Sequence, residues 1–324
     1  MKILHVLLSK ISLPPQGYGG TERVVWALAK AQQQAGHEVR FLWGKAPNLP
    51  SNAKVADKRL PLATQIDDWP DIVHFHCPFS GELHKPYIST EHGNARDVRT
   101  YDMNTVFLSQ RHALNHHADC FVYNGLDWSE YGAPELTSPN SYFHFLGKAN
   151  WPLKNLRGAI DLARASDIEL SVLGGRRLNF SKKFYCYFDR KVNFKGMIGG
   201  DKKHQLIRKS QGLIFPVRWH EPFGLAVIES LFLGTPVLSS PYGALPELIT
   251  LPEIGILSTD SQQLIDAIRN ITQFKRRVCH EYAKETFNHN LMAKGYDDCY
   301  QKVLDGQALN SAKPYNTHNL HQIL

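Results

Sequence analysis

The feature that most constrains this chain is an alternation that occurs twice. Short, continuous apolar runs alternate with stretches of helical periodicity, and the pattern restarts after a turn-rich segment. Ile3–Leu8 is the first such run, as expected for a strand buried on both faces of a parallel sheet. The Gly-rich loop Gln16-Gly17-Tyr18-Gly19-Gly20 follows. Thr21 is then expected to cap a helix whose apolar face is Val24, Val25, Leu28 and Ala31, ending at Gly36. Val39–Trp43 completes one βαβ unit, and further strands are expected at Ile72–Phe75, Tyr87–Ser89, Val106–Leu108 and Cys120–Val122.

The segment from Tyr131 to Asn140 holds Gly132, Pro134, Ser138 and Pro139 and reads as a linker. Beyond it strands are expected at Tyr142–Leu146, Leu170–Leu173, Val192–Phe194, Leu213–Val217 and Val237–Ser239. Helices are expected at Leu156–Ala165, around His204–Lys209 and at Leu225–Leu233. Two successive α/β layers imply a ligand cleft at the ends of parallel strands. From Asn288 the pattern is helical, with Leu291, Tyr296, Tyr300 and Val303–Leu304 on one face. The tail after Asp305 is polar and is expected to be unstructured. The domain reading is residues 1–135, 141–287, a helix over 288–306 and a tail over 307–324.

Composition excludes other classes. Of 324 residues, 43% are hydrophobic and 21% charged, so the chain can bury sizeable cores. Lys plus Arg is 37 against 30 for Asp plus Glu, a net +7 without any basic block, which speaks against nucleic acid as partner. Weak association with a membrane surface is compatible with that charge. The five scattered cysteines lack any CxxC pair and read as reduced thiols in a cytoplasmic protein. The apolar start is too short for a signal peptide, and no run reaches the length of a membrane span.

The most informative stretch runs from Phe215 to Glu229: Phe-Pro-Val-Arg-Trp-His-Glu-Pro-Phe-Gly-Leu-Ala-Val-Ile-Glu. A strand ends, a loop carries Glu221, and Gly224 lets the backbone approach a ligand as a helix opens. The amides at Phe223, Gly224 and Leu225 then lie at a helix N-terminus, which favours phosphate. Glu229 lies about two turns further on. Two ordinary acidic residues, with Glu221 serving the helix dipole, would give the same local pattern.

Taken with Gly234-Thr235-Pro236-Val237 and Gly243-Ala244-Leu245-Pro246-Glu247-Leu248, this stretch resembles the E-x7-E signature of the retaining glycosyltransferases of family 4, also described as glycosyl transferases group 1. The resemblance implies a GT-B fold: α/β, two Rossmann-like domains facing across a cleft, with a C-terminal helix crossing back to the first domain. It implies that Glu221 contacts the transferred sugar and Glu229 the donor ribose. Gly147-Lys148-Ala149-Asn150-Trp151-Pro152-Leu153-Lys154 resembles the family's diphosphate-binding segment. That assigns Lys148 and Lys154 to the leaving diphosphate, with Lys148 where the family has Arg. Lys154 is expected to be solvent-accessible, so that its loss affects turnover more than stability.

Gly19-Gly20-Thr21-Glu22-Arg23 resembles the family's N-terminal glycine loop, facing diphosphate and acceptor. It lacks the G-x-G-x-x-G of dinucleotide enzymes, which disfavours a nicotinamide-dependent oxidoreductase. Ser89-Thr90-Glu91-His92 resembles the family's T-x-H segment, whose His lies by the anomeric carbon. Asn124-Gly125-Leu126-Asp127 resembles a structural turn before the linker, and the helix from Asn288 resembles the family's crossover segment.

His74 and His76 point to one face of a strand, but no third ligand stands at metal spacing in the sequence. His116-His117 reads as a polar helix terminus. The resemblance implies no metal and no cofactor other than a nucleotide-sugar co-substrate. A UDP-hexose such as UDP-glucose is favoured on family frequency and GDP-mannose is the rival, with a base pocket around Phe194. The acceptor would be a small molecule, a glycan or a lipid-linked sugar, and the location cytoplasmic or peripheral to the inner membrane face. A non-catalytic nucleotide-sugar-binding protein is the alternative from another class.

Overall fold

The computed structural model describes residues 1–137, 139–179 and 185–321; Ser138 of the expected linker and 322–324 of the expected tail lie outside them. The chain divides into two compact units. One is Met1–Asp127 with Phe287–Leu320, the other Trp128–Thr286 with the residues from His321.

The first unit contains β1 (Lys2–Leu7), α1 (Gly20–Gln34), β2 (Glu38–Trp43), β3 (Ala53–Val55), β4 (Ile72–Phe75), β5 (Tyr87–Thr90), β6 (Arg99–Thr100), β7 (Thr105–Val106) and α2 (Gln110–Leu114). Six of these strands form a parallel sheet in the order β3-β2-β1-β4-β5-β7. β1 lies inside the sheet, which is why Ile3–Leu7 is buried and apolar apart from His5. The strand order reverses beside β1, and the loops at the carboxyl ends of strands next to such a switch point are where open α/β sheets hold ligands. The expected face of α1 is buried, but Gly19, not Thr21, is its N-cap. Cys120–Val122 forms no strand; Phe121 makes one parallel bridge to Phe107. β3 went unread because three residues at a sheet edge, two of them exposed, carry no apolar run.

The second unit contains β8 (Tyr142–Leu146), α3 (Leu156–Ala165), β9 (Glu169–Leu173), β10 (Leu178–Asn179), β11 (Tyr185–Cys186), β12 (Val192–Phe194), α4 (Gly200–Arg208), β13 (Leu213–Phe215), α5 (Leu225–Phe232), β14 (Val237–Ser239), α6 (Leu245–Leu248), β15 (Gly255–Leu257), α7 (Ser261–Arg269) and α8 (Arg276–Thr286). Its parallel sheet has the order β12-β9-β8-β13-β14-β15. Phe143, Phe145, Leu170, Val172, Ile214 and Leu238 pack with α3 and α7 into one core. The α/β class with two parallel sheets is the one the alternation implied.

The chain then returns to the first unit through α9 (His289–Leu304), capped by Asn288, whose side chain accepts from the Leu291 amide at 3.0 Å. Its buried face is Met292, Ala293, Tyr296, Cys299 and Tyr300; Leu291, expected on that face, is exposed. Helical spacing puts 292, 296 and 299 on one stripe and leaves 291 off it.

The polar tail is not unstructured. Asn310 is buried. Its Oδ1 accepts from the amides of Asp119 and Cys120 at 2.8 and 3.0 Å, and its Nδ2 donates to the carbonyls of Met103 and Thr105 at 2.8 Å each. Tyr315–Asn316 (β16) pairs antiparallel with β6. Composition misled here because these polar side chains satisfy buried backbone rather than water. Asn310→Ala leaves four backbone groups without that partner. It is expected to cost about 2–4 kcal/mol in urea denaturation and to speed exchange of the Asp119 and Cys120 amides. Unchanged exchange would show that the anchor lies elsewhere.

Candidate active site

In the second unit, the loop after β8 and the loop after β13 are tied together. Asn155 adopts a left-handed conformation, caps α3, and donates from Nδ2 to the Pro216 carbonyl at 2.8 Å. The Arg218 amide donates to the Leu153 carbonyl at 2.8 Å. This seam sets Lys154 against Glu221, and Lys154 Nζ donates to Glu221 Oε2 at 2.6 Å. Trp219 Nε1 donates to the same oxygen at 2.8 Å. The rings of Trp151, Phe215 and Trp219 surround the ammonium at 5.6, 5.1 and 5.0 Å. The His321 ring lies 5.5 Å from that of Trp219. Lys154 is therefore not the solvent-accessible lysine expected: its side chain is 14% exposed and that of Glu221 8%. Three aromatic rings close around the ammonium, a surrounding that the sequence did not reveal. Lys148, by contrast, is exposed at the end of β8.

Gly224 has φ 118°, a backbone that side chains resist, and it opens α5 without a side-chain cap. Val227 and Ile228 donate back to the Gly224 carbonyl, so the amides that α5 offers to another acceptor are those of Leu225 and Ala226, and Phe223 before them is buried. Leu225 is partly exposed at the first turn. Glu229, further along α5, is buried and engaged. Its Oε1 accepts from the Tyr131 hydroxyl and from Lys203 Nζ of α4, each at 2.5 Å. Sequence reasoning missed both partners. Tyr131 was read as part of the linker and Lys203 was not singled out, and only the packing of α4 against the chain before β8 brings them to Glu229. Phe194 stands apart from this group. It lies on the edge strand β12, its ring stacked on Tyr187 at 6.1 Å and under the Arg177 guanidinium at 5.8 Å.

In the first unit, Gly19 and Gly20 form the start of α1 beyond β1, with φ 159° at Gly19. Ser9 Oγ donates to Glu22 Oε1 at 2.6 Å, and Arg23 donates to the Gly17 carbonyl at 3.1 Å, so the loop is braced at both ends. His92 follows β5 and is partly exposed. Its Nε2 lies 2.9 Å from His76 Nδ1, and His76 Nε2 lies 2.9 Å from His5 Nδ1. His112 of α2 reaches the Gly93 carbonyl at 3.1 Å and so holds the loop that carries His92. His116 is not a polar terminus: it is fully buried, stacked on Phe107 at 4.6 Å.

The third histidine that the sequence lacked beside His74 and His76 comes from β1. His5 is in register with His74, and one ring nitrogen from each of the three lies within 4.8 Å of the others. Their remaining contacts are to Gln32, Tyr300, Thr90 and His92, so every ring nitrogen already has a hydrogen-bond partner. Burial pushes His5 and His92 down to about 4 and His74 and His76 well below the usual range, so the group is neutral at pH 7. Glu91 beside His92 moves the other way, raised by burial to about 6 although the Gly93 amide and Arg99 oppose the shift.

Comparison with known proteins bears on both units. Residues 142–273 match the family model described as glycosyl transferases group 1. Over 95% of this chain and 100% of the other, the sequence is 20% identical to O-antigen chain mannosyltransferase C of Escherichia coli. The fold is similar to that of AviGT4, a glycosyltransferase involved in avilamycin A biosynthesis (TM-score 0.76, 22% identity, 94% of this chain and 98% of that one). It is also similar to Anabaena HepE in complex with UDP-glucose (TM-score 0.66, 15% identity, 93% and 100%). Residues 142–273 therefore match the glycosyl transferases group 1 model, and the α/β fold with two six-stranded parallel sheets is the GT-B fold of these solved structures.

Proposed function

We propose that the protein is a retaining, metal-independent glycosyltransferase that moves a hexose from a UDP-sugar to a hydroxyl of its acceptor. The observation that carries this reading is the buried Lys154–Glu221 pair beside the uncapped start of α5. A diphosphate accepted by the α5 amides would draw the Lys154 ammonium from carboxylate to phosphate, which releases Glu221 for a sugar hydroxyl. Lys154, aided by the exposed Lys148, then carries the charge that grows on the diphosphate as it leaves. In this reading the departing phosphate takes the proton of the attacking hydroxyl, and the protein supplies placement and electrostatics. Glu229, oriented by Tyr131 and Lys203, takes the ribose hydroxyls.

The donor reading is supported by HepE, a similar structure that was solved with UDP-glucose. GDP-mannose is the second reading, favoured by the full-length similarity to a mannosyltransferase. The acceptor is placed among glycans, lipid-linked sugars and small hydroxylated molecules. Among the described residues no helix is long and apolar enough to cross a membrane, and the proposed site of action is the cytoplasm or the inner membrane face.

The test is a thermal-shift and turnover panel of nucleotide sugars, with and without EDTA. UDP or GDP is expected to stabilise the protein in EDTA, and the matching sugar is expected to be consumed with retained anomeric configuration. A shift that vanishes in EDTA and returns with Mn²⁺ overturns the metal-independent reading, and binding without turnover favours the non-catalytic alternative. Glu229→Ala is expected to weaken donor binding by about 1.5–3 kcal/mol, on the order of 10- to 150-fold in Kd. Unchanged affinity would make that carboxylate purely structural.

A further inference from the structure

His92 is backed by a buried hydrogen-bond chain that has a direction, and Gln32 sets it. Gln32 lies on α1 and is fully buried. Its amide has two unlike ends, a carbonyl that only accepts and an amino group that only donates. Oε1 faces His5 Nε2 at 2.8 Å, so His5 must carry its proton on Nε2. A neutral imidazole has one proton, which leaves His5 Nδ1 as an acceptor. The 2.9 Å contact to His76 Nε2 is then a donation from His76. The same step repeats: His76 Nδ1 accepts, and His92 Nε2 donates to it at 2.9 Å.

The other end of the amide orders a second arm. Gln32 Nε2 donates to the Tyr300 hydroxyl at 3.0 Å, and that hydroxyl donates to His74 Nδ1 at 2.8 Å. His74 Nε2 donates to Thr90 Oγ1 at 2.7 Å, and Thr90 lies 3.0 Å from the Tyr296 hydroxyl. Reversing any one link of the His92 arm would set two donors or two acceptors against each other in a buried site, at a cost well above that of an ordinary hydrogen bond.

We propose that Gln32, His5 and His76 are positioning residues that fix His92 as the Nε2–H tautomer, so that its Nδ1 lone pair accepts a hydrogen bond from a substrate hydroxyl. The inference rests on the transferase reading above for its substrate. It assigns to His92 an accepting role that a freely chosen tautomer would not guarantee. A ligand hydroxyl meets a preset acceptor, and a group that can only accept meets a lone pair and is rejected.

The experiment is a long-range ¹H–¹⁵N correlation on protein labelled at histidine, which reads the protonated nitrogen of each ring directly. Wild-type His92 is expected as the single Nε2–H form. A protonated Nδ1, or an averaged pair of signals, overturns the proposal. Gln32→Met removes both amide ends while keeping volume. It is expected to shift His92 toward the Nδ1–H form and to lower kcat by about tenfold or more with KM little changed. Tyr296→Phe disturbs the same buried network at the far end of the other arm. It is expected to leave the His92 tautomer in place and kcat within about twofold.

Equal loss in both variants, or an unchanged tautomer in Gln32→Met, overturns the role of Gln32. If Gln32→Met fails to fold, the wild-type tautomer together with Tyr296→Phe still decides the direction of the chain. A wild-type protein that shows the Nε2–H form but turns over no nucleotide sugar would overturn the transferase reading and leave the hydrogen-bond order standing.

Discussion

Acidification from pH 7.5 to pH 5 is expected to unfold the unit built from Met1–Asp127 and Phe287–Leu320. Six histidines in it, His5, His74, His76, His92, His112 and His116, are held neutral by burial, with His5, His92 and His116 lowered from 6.5 to about 4. A base whose folded pKa is depressed binds fewer protons in the folded than in the unfolded chain. Its contribution is fully present above pH 6.5 and is lost progressively as pH falls toward 4. At pH 5 a histidine lowered from 6.5 to about 4 costs on the order of 2 kcal/mol, so His5, His92 and His116 together already reach the lower end of a domain's stability, about 5–15 kcal/mol.

Glu91 works against this. Its pKa rises from 4.5 to about 6 on folding, so it favours the folded chain increasingly as pH falls through 6 toward 4.5, and at pH 5 it offsets only part of one histidine. The second unit holds His144, lowered to about 3 by burial, and is expected to be less acid-sensitive. Near-ultraviolet circular dichroism and tryptophan fluorescence followed from pH 7.5 to 4.5 should show an early, partial transition. A signal that stays flat to pH 4.5 would show that these imidazoles are not held neutral by burial.

Lys154→Met is expected to lower both stability and turnover. The sequence alone suggested that turnover would suffer more than stability, because it gave Lys154 an exposed position. With the Lys154 side chain 14% exposed and that of Glu221 8%, removing the ammonium strands a buried carboxylate, an injury of about 3–5 kcal/mol when a buried pair is broken. Trp219 still donates to Glu221, which places the expected loss toward the lower figure.

The double variant Lys154→Met with Glu221→Gln removes both charges and is expected to recover most of the stability. Its turnover should stay low, by about 10²–10³, because the charge that stabilises the leaving diphosphate is still missing. Equilibrium denaturation with single-turnover transfer at saturating donor separates the two effects. A double variant that recovers turnover along with stability would show that the lysine serves the fold alone.

The sequence by itself determined what depends on neighbours along the chain. Burial on both faces makes the strands of a parallel sheet continuous apolar runs. For that reason Tyr142–Leu146 and Val237–Ser239, with the helix Leu156–Ala165 between them, were legible to the residue. Gly224 was legible because a helix start at that φ favours a residue without a β-carbon. β15, α7 and α8 were not read. β15 opens on Gly255, which leaves only Ile256 and Leu257 to signal a strand.

The partners inside the candidate site were decided only by tertiary structure. Glu229 meets Tyr131 from 98 positions away, Lys154 meets Glu221 across 67, and His5 meets His76 across 71. Asn310 satisfies backbone some 190 to 207 residues earlier. None of these pairs leaves a trace in local periodicity. Which strands are neighbours, in what register, and where α9 returns are set by the packing of whole layers. A buried charge or amide takes its partner from whatever that packing brings within about 3 Å.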